Sequence, residues 1–140
     1  MDKYGEDQIS IYGRSLGAGF ATRIASWNNP RTLILDGPFT TFKDLCHYYT
    51  RILPLSLILK YRIPLEEYIM DVKCPIFLIH GNKDRVIPYK FSVRLEKLNP
   101  RRIRLFTIKG AKHNNLPKFE EYHRWLDYAL NDPDAILSDK

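Results

Sequence analysis

Gln8-Ile9-Ser10-Ile11-Tyr12-Gly13-Arg14-Ser15-Leu16-Gly17 is the stretch on which the reading of this chain turns. Residues 8–12 form a short β-like run. Residues 13–17 have the form G-x-S-x-G. Ala18-Gly19-Phe20-Ala21-Thr22-Arg23-Ile24-Ala25 then reads as a helix rich in small residues. Strand, G-x-S-x-G, helix is the context that separates a nucleophile elbow from a turn serine that merely caps a helix. The chemistry explains the glycines. A serine at the tip of a sharp strand-to-helix turn sits in a strained backbone conformation, and bulky neighbours two residues away on either side would clash. The turn lifts the hydroxyl clear of the sheet and sets it at a helix N-terminus. There the free N–H of Leu16 and the helix dipole can stabilise an oxyanion.

A nucleophile needs an acid and a base, and the chain offers both. Pro75-Ile76-Phe77-Leu78-Ile79-His80-Gly81 reads as a buried strand, and Asn82-Lys83-Asp84-Arg85-Val86-Ile87-Pro88 as the loop at its C-terminal end. Ile103–Ile108 reads as another strand, running into Lys109-Gly110-Ala111-Lys112-His113-Asn114-Asn115. The candidate order is Ser15, Asp84, His113. The first interval leaves room for a helix, a strand and a small lid, and the second for one helix and one strand. Asp36 competes for the acid's place, because it also follows a strand. Of the four histidines, only His113 sits in a loop after the last strand. His80 closes the strand before Gly81 and should pack near the Asp84 loop. His47 belongs to the lid region, and His123 is a surface or packing residue of the last helix.

Three segments, IYGRSLGAG (11–19), CPIFLIHGNKDRVIP (74–88) and IKGAKHN (108–114), together resemble the α/β-hydrolase superfamily, in its abhydrolase-type serine hydrolases. Ser…acid…His is that superfamily's chain order. The resemblance favours Asp84 over Asp36, since HGNKDRVIP matches the acid loop. It implies a Ser15–His113–Asp84 triad, an oxyanion donor in the backbone N–H of Leu16, and cleavage of carboxylic esters or related acyl substrates without metal or organic cofactor.

Composition is ordinary for a soluble globular domain: 140 residues, 44% hydrophobic and 27% charged. Residues 1–7 are polar and do not read as a signal peptide. The longest apolar stretch, 52–59, is broken by Pro54 and Ser56 and is too short to span a bilayer. Cys46 and Cys74 imply neither a disulfide framework nor a zinc site, and a reducing cytoplasm fits them. The formal net charge is +6. Arg101, Arg102 and Arg104 read as a solvated strand end, and no nucleic-acid-binding motif accompanies them. The excess charge suits a weak attraction to anionic lipid surfaces or acidic substrates.

The elements alternate. Strands are predicted at 8–12, 32–35, 76–80 and Ile103–Ile108, and helices at Leu16–Trp27, Lys90–Leu98 and 117–130. Such alternation means a parallel sheet with helices on both faces, its functional loops at the C-terminal strand ends. Tyr89, Phe91, Val93, Leu95 and Leu98, with Phe119, Tyr122, Trp125 and Ala129, are expected on helix core faces. Residues 37–71 are expected to form a small lid or insert whose apolar stretch, 48–61, covers either the serine or simply the sheet. Residues 131–140 are expected to fray.

The superfamily's fold has more strands than the four visible here, and one of its oxyanion donors comes from a loop upstream of the nucleophile. The chain is therefore expected to be one partial domain, 1–140, beginning just before the nucleophile strand. That leaves an apolar strand edge open to pairing with a second copy. Two functions follow. One is a serine hydrolase acting on small acyl substrates. The other is a non-catalytic truncated fragment, or partner-dependent half-domain, lacking the second oxyanion donor.

Overall fold

A computed structural model describes residues 3–49 and 62–135. Among them, four strands form one wholly parallel sheet in the order β1-β2-β3-β4. The strands are β1 (Ser10–Arg14), β2 (Thr32–Asp36), β3 (Ile76–Gly81) and β4 (Ile103–Ile108). The helices are α1 (Leu16–Trp27), α2 (Phe42–Tyr49), α3 (Leu65–Asp71), α4 (Lys90–Leu98) and α5 (Glu120–Asn131).

The pleat divides the core. Leu33, Leu35, Ile76 and Leu78 point to one face, where Ala18, Ala21 and Ala25 of α1, Leu65 and Ile69 of α3, and Phe91 and Leu95 of α4 cover them. Ile34, Phe77, Ile79 and Ile108 point to the other face, beneath Tyr122 and Ala129 of α5. There Phe106 stacks on Trp125 with ring centroids 4.1 Å apart. Every residue of β2 and β3 is buried. Each large aliphatic side chain so placed contributes about 1.5–3 kcal/mol of apolar burial. The small-residue face of α1 lets its axis run close to β1 and β2, as the sequence pattern requires.

Several details differ from expectation. β1 starts at Ser10, because residues 6–8 close a 3-10 turn in which the Gln8 side chain accepts the Gly5 N–H at 3.2 Å. The last helical stretch breaks at Phe119 into a 3-10 turn, Leu116–Lys118, and α5. Leu98, the last residue of α4, is exposed rather than in the core. Of the expected lid, α2 lies on the surface with no buried residue, while Gly37, Pro38, Phe39 and Thr40 are buried. Its apolar part from 50 to 61 lies outside the described residues, as does most of the tail.

Among the described residues β1 is an edge strand. Ile9, Tyr12, Phe20, Ile24 and Trp27 are exposed beside it, Trp27 by 68%. No helix among the described residues is long and apolar enough to cross a membrane.

Candidate active site

The parallel sheet sets the C-terminal ends of β1, β2, β3 and β4 side by side, so residues far apart in sequence meet there. Ser15 immediately follows β1 and precedes α1, with φ 52° and ψ −122°. Among the described residues it alone, glycines apart, has a positive φ. Its N–H donates to the Asp36 carbonyl at 2.9 Å, which pins the elbow to β2. Although Ser15 stands at the N-cap of α1, its hydroxyl makes no capping bond. It lies 3.1 Å from His113 Nε2 instead.

The two glycines of the elbow are not equivalent. A Cβ on Gly13 would lie 2.5 Å from Ala21 Cβ and 2.8 Å from the Gly17 carbonyl oxygen, so strand and helix meet there only over hydrogen. A Cβ on Gly17 would have nothing within 4 Å among the described residues. The clash expected on both sides of the serine exists on one.

His113 is tied into the loop after β4. Lys83 N–H donates to the Ala111 carbonyl at 3.0 Å, and Gly110 N–H to Asn82 Oδ1 at 2.8 Å. The histidine loop is thus stapled to the loop after β3. This approach is close enough that a Cβ on Gly81 would sit 2.3 Å from the Ala111 oxygen. From the other side, Arg14 Nη2 donates to the His113 carbonyl at 2.6 Å.

Asp84 completes the line. His113 Nδ1 donates to its Oδ2 at 2.7 Å, and His80 Nε2 donates to the same oxygen at 3.1 Å. Oδ1 accepts the N–H groups of Val86 and Ile87 at 2.8 and 2.9 Å. Burial by itself would raise the Asp84 carboxyl. The donations from His113, His80 and Ile87 outweigh it and hold the group well below the ordinary carboxylate range. The ionised form is the one that orients an imidazole and stabilises its protonated state.

Asp36, the rival acid, is buried and faces a different set. Its Oδ2 accepts Tyr12 Oη–H at 2.8 Å and Tyr122 Oη–H at 3.3 Å, with Arg14 Nε 3.6 Å away. Burial raises its carboxyl, and Tyr12 and Arg14 offset part of the rise. Gly37 next to it has φ 57°, and its Cβ position is 3.5 Å from His113 Cε1. The chain turns sharply there and passes alongside the imidazole.

Leu16 is the first residue of α1, where a helix N–H lacks an intrahelical acceptor. An N–H at this helix position is open to an acceptor from outside the helix. The geometry can support proton withdrawal from the Ser15 hydroxyl by His113, with Asp84 behind it.

Sequence reasoning did not single out Arg14 or Ser92. Ser92 Oγ sits 2.7 Å from Nδ1 of the fully buried His80, so a chain of contacts runs from α4 through His80 to Asp84. A histidine ending a buried strand four residues before the acid was the available signal. His123 is exposed and contacts the Pro117 carbonyl, and His47 lies in the last turn of α2.

No protein-family model matches the chain. An uncharacterised protein of Mycobacterium tuberculosis is 32% identical over 77% of this chain and 38% of its own length. The lysophosphatidylserine lipase ABHD12 of Danio rerio is 25% identical over 69% of this chain and 30% of its own length. Among solved structures, Est1E from Butyrivibrio proteoclasticus superposes with a TM-score of 0.64 at 18% identity, covering 99% of this chain and 61% of that one. The chain thus spans well under half the length of these curated relatives.

Proposed function

The chain belongs to the α/β-hydrolase superfamily, with the fold from its nucleophile strand onward, and from that premise we propose that it carries the catalytic residues of a serine hydrolase acting on carboxylic esters or related acyl substrates. The observation that carries this reading is the unbroken line Ser15 Oγ, His113 Nε2, His113 Nδ1, Asp84 Oδ2, with links of 3.1 and 2.7 Å. Ser15 attacks the acyl carbonyl as His113 takes its proton. The Leu16 N–H receives the charge that develops on the carbonyl oxygen. His113 returns the proton to the leaving alcohol, and an acyl-serine remains. Water, deprotonated by His113, then releases the acid and restores Ser15. Asp84 keeps the imidazole in the tautomer that presents an unprotonated Nε2 to the serine.

The test is labelling by a fluorophosphonate probe, beside Ser15→Ala and His113→Ala. Covalent labelling of the parent, lost in both variants, is expected. Equal labelling of the Ser15→Ala protein would refute the assignment.

A second reading is favoured by the open edge of β1. A small apolar cavity lined by Ile9, Ile11, Ile24 and Pro30 lies along it, next to exposed Tyr12 and Trp27. On this reading the site is completed only when further polypeptide, or a second copy of the chain, packs along that edge. Sedimentation beside the labelling assay separates the two. A labelled monomer argues for self-sufficiency, and labelling confined to an associated species for completion by a partner.

A further inference from the structure

Four cationic side chains surround one cavity that shares His113 with the serine site. The cavity, about 500 Å³, opens between the acid loop and the histidine loop. Lys83 and Arg85 flank Asp84, Lys112 precedes His113, and Lys118 ends the 3-10 turn that follows. Among the described residues no acidic side chain lines it. Among the described residues none of the four cations has an ion-pair partner.

Three arginines elsewhere are engaged. Arg94 pairs with Asp44 and Glu66, Arg14 with Asp36, and Arg23 lies over the rings of Trp27 and Tyr68. Lys83, Arg85, Lys112 and Lys118 thus set four cations, without an ion pair among the described residues, around one concavity beside His113. Like charges around one concavity repel, and a bound anion relieves that repulsion. The cavity is also large enough for a small-molecule moiety.

Its position says which part of a substrate enters. A histidine that protonates a leaving alcohol must face the leaving-group oxygen. A cavity with His113 in its wall stands next to the residue that would serve the leaving alcohol. Resting on the hydrolase reading above, we propose that this cavity binds an anionic group, phosphate or carboxylate, carried on the alcohol part of the ester. The preferred substrates are then acyl esters of anionic alcohols.

The experiment compares a 1-acylglycerol 3-phosphate with the 1-acylglycerol of the same short chain, both monomeric and then both in neutral vesicles. At low salt kcat/KM for the anionic ester should exceed that for the neutral one by about tenfold or more. The ratio should shrink towards unity at about 0.5 M salt. Lys83→Ala/Lys112→Ala/Lys118→Ala should lower the ratio about fivefold or more, whereas Arg101→Ala, at the opposite end of the sheet, should keep it. A ratio near unity, or one that the triple variant leaves unchanged, overturns the proposal. So does a preference seen only on vesicles, which would mean attraction of the whole cationic chain to a surface.

A second measurement needs no turnover. Calorimetry with Ser15→Ala protein and the matching ether analogues should show the phosphate-bearing ether binding about tenfold more tightly, with inorganic phosphate competing. Equal binding overturns the proposal even where the ester is hydrolysed. Discriminating binding in a protein that no fluorophosphonate labels would sustain the anion site and remove the hydrolase reading alone.

Discussion

Arg14 Nη2 donates to the main-chain carbonyl of His113 at 2.6 Å, so the residue before Ser15 holds the loop that carries His113. The same guanidinium reaches Asn114 Oδ1 at 3.4 Å and stands 3.6 Å from Asp36 Oδ2 through Nε. The variable position of G-x-S-x-G is here a strut between β1, β2 and the loop after β4. Arg14→Met should slow fluorophosphonate labelling about tenfold. It should cost only about 1 kcal/mol of stability, because the side chain is part-exposed and a screened bond contributes little. A matched pair of labelling kinetics and urea melts checks this. Unchanged kinetics with the same loss of stability would assign Arg14 a purely structural role.

Asp84→Asn keeps the shape of the acid but removes its charge and places an amide where the carboxylate accepts His113 Nδ1–H. Loss of the correct tautomer in such an arrangement lowers turnover about 10⁴-fold. Ester hydrolysis by folded Asp84→Asn protein should fall to near the level of Ser15→Ala. Asp36→Asn serves as the contrast and should fall far less, since Asp36 contacts Tyr12, Tyr122 and Arg14. The reverse ranking would move the acid to Asp36.

His80 is fully buried between Ser92 Oγ, Asp84 Oδ2 and the Ile87 carbonyl. His80→Ala leaves a cavity and unpaired polar atoms and should cost about 3 kcal/mol. Ser92→Ala removes one bond and should cost about 1–2 kcal/mol. The kinetic effect of Ser92→Ala should appear in kcat rather than KM, because it reaches the reacting atoms only through His80 and Asp84. A KM effect alone would contradict that route.

Asp84 and Asp36 drive the pH dependence of stability in opposite directions. Burial opposes ionisation of Asp84, but donation from His113 and His80 prevails, and its folded value lies below the ordinary 3.8. Its stabilisation is complete above that value and is lost as pH falls through the folded one. Burial raises Asp36 above 3.8, so its contribution is complete below that value and is lost as pH rises through the folded one. Asp84→Asn should therefore be most destabilising near neutrality and approach the parent in strong acid. Asp36→Asn should gain on the parent as pH climbs above about 4. Urea melts across an acid-to-neutral series give both curves, and parallel curves for Asp36→Asn and the parent would refute the second.

Gly13→Ala should cost about 3 kcal/mol, since the added methyl meets Ala21 Cβ and the Gly17 backbone. Gly17→Ala should be neutral or stabilise by about 0.5 kcal/mol, because its surroundings are open and alanine favours the helix. Thermal melts decide. A large loss at Gly17 would refute the contrast between the two glycines.

Much of this was legible in the sequence because it rests on local rules. Small residues at helical spacing after G-x-S-x-G forecast α1, and its observed bounds are the predicted ones. Apolar, β-branched runs between amphipathic segments forecast the parallel sheet. Such a sheet gathers the loops holding Ser15, Asp84 and His113 at one end, whatever the details of packing. Tertiary structure alone settled the rest. Asp36 and Asp84 both follow strands; the match of HGNKDRVIP to an acid loop favours Asp84, but strand-end position alone does not say which carboxylate faces His113. That depends on how the loop after β4 lies against the loop after β3, a matter of Gly81 meeting Ala111. Arg14 was invisible as a strut because its partner lies 99 residues away. Pattern and propensity report on neighbours along the chain, whereas hydrogen bonds between strand ends are fixed by register, pleat and the path of distant loops.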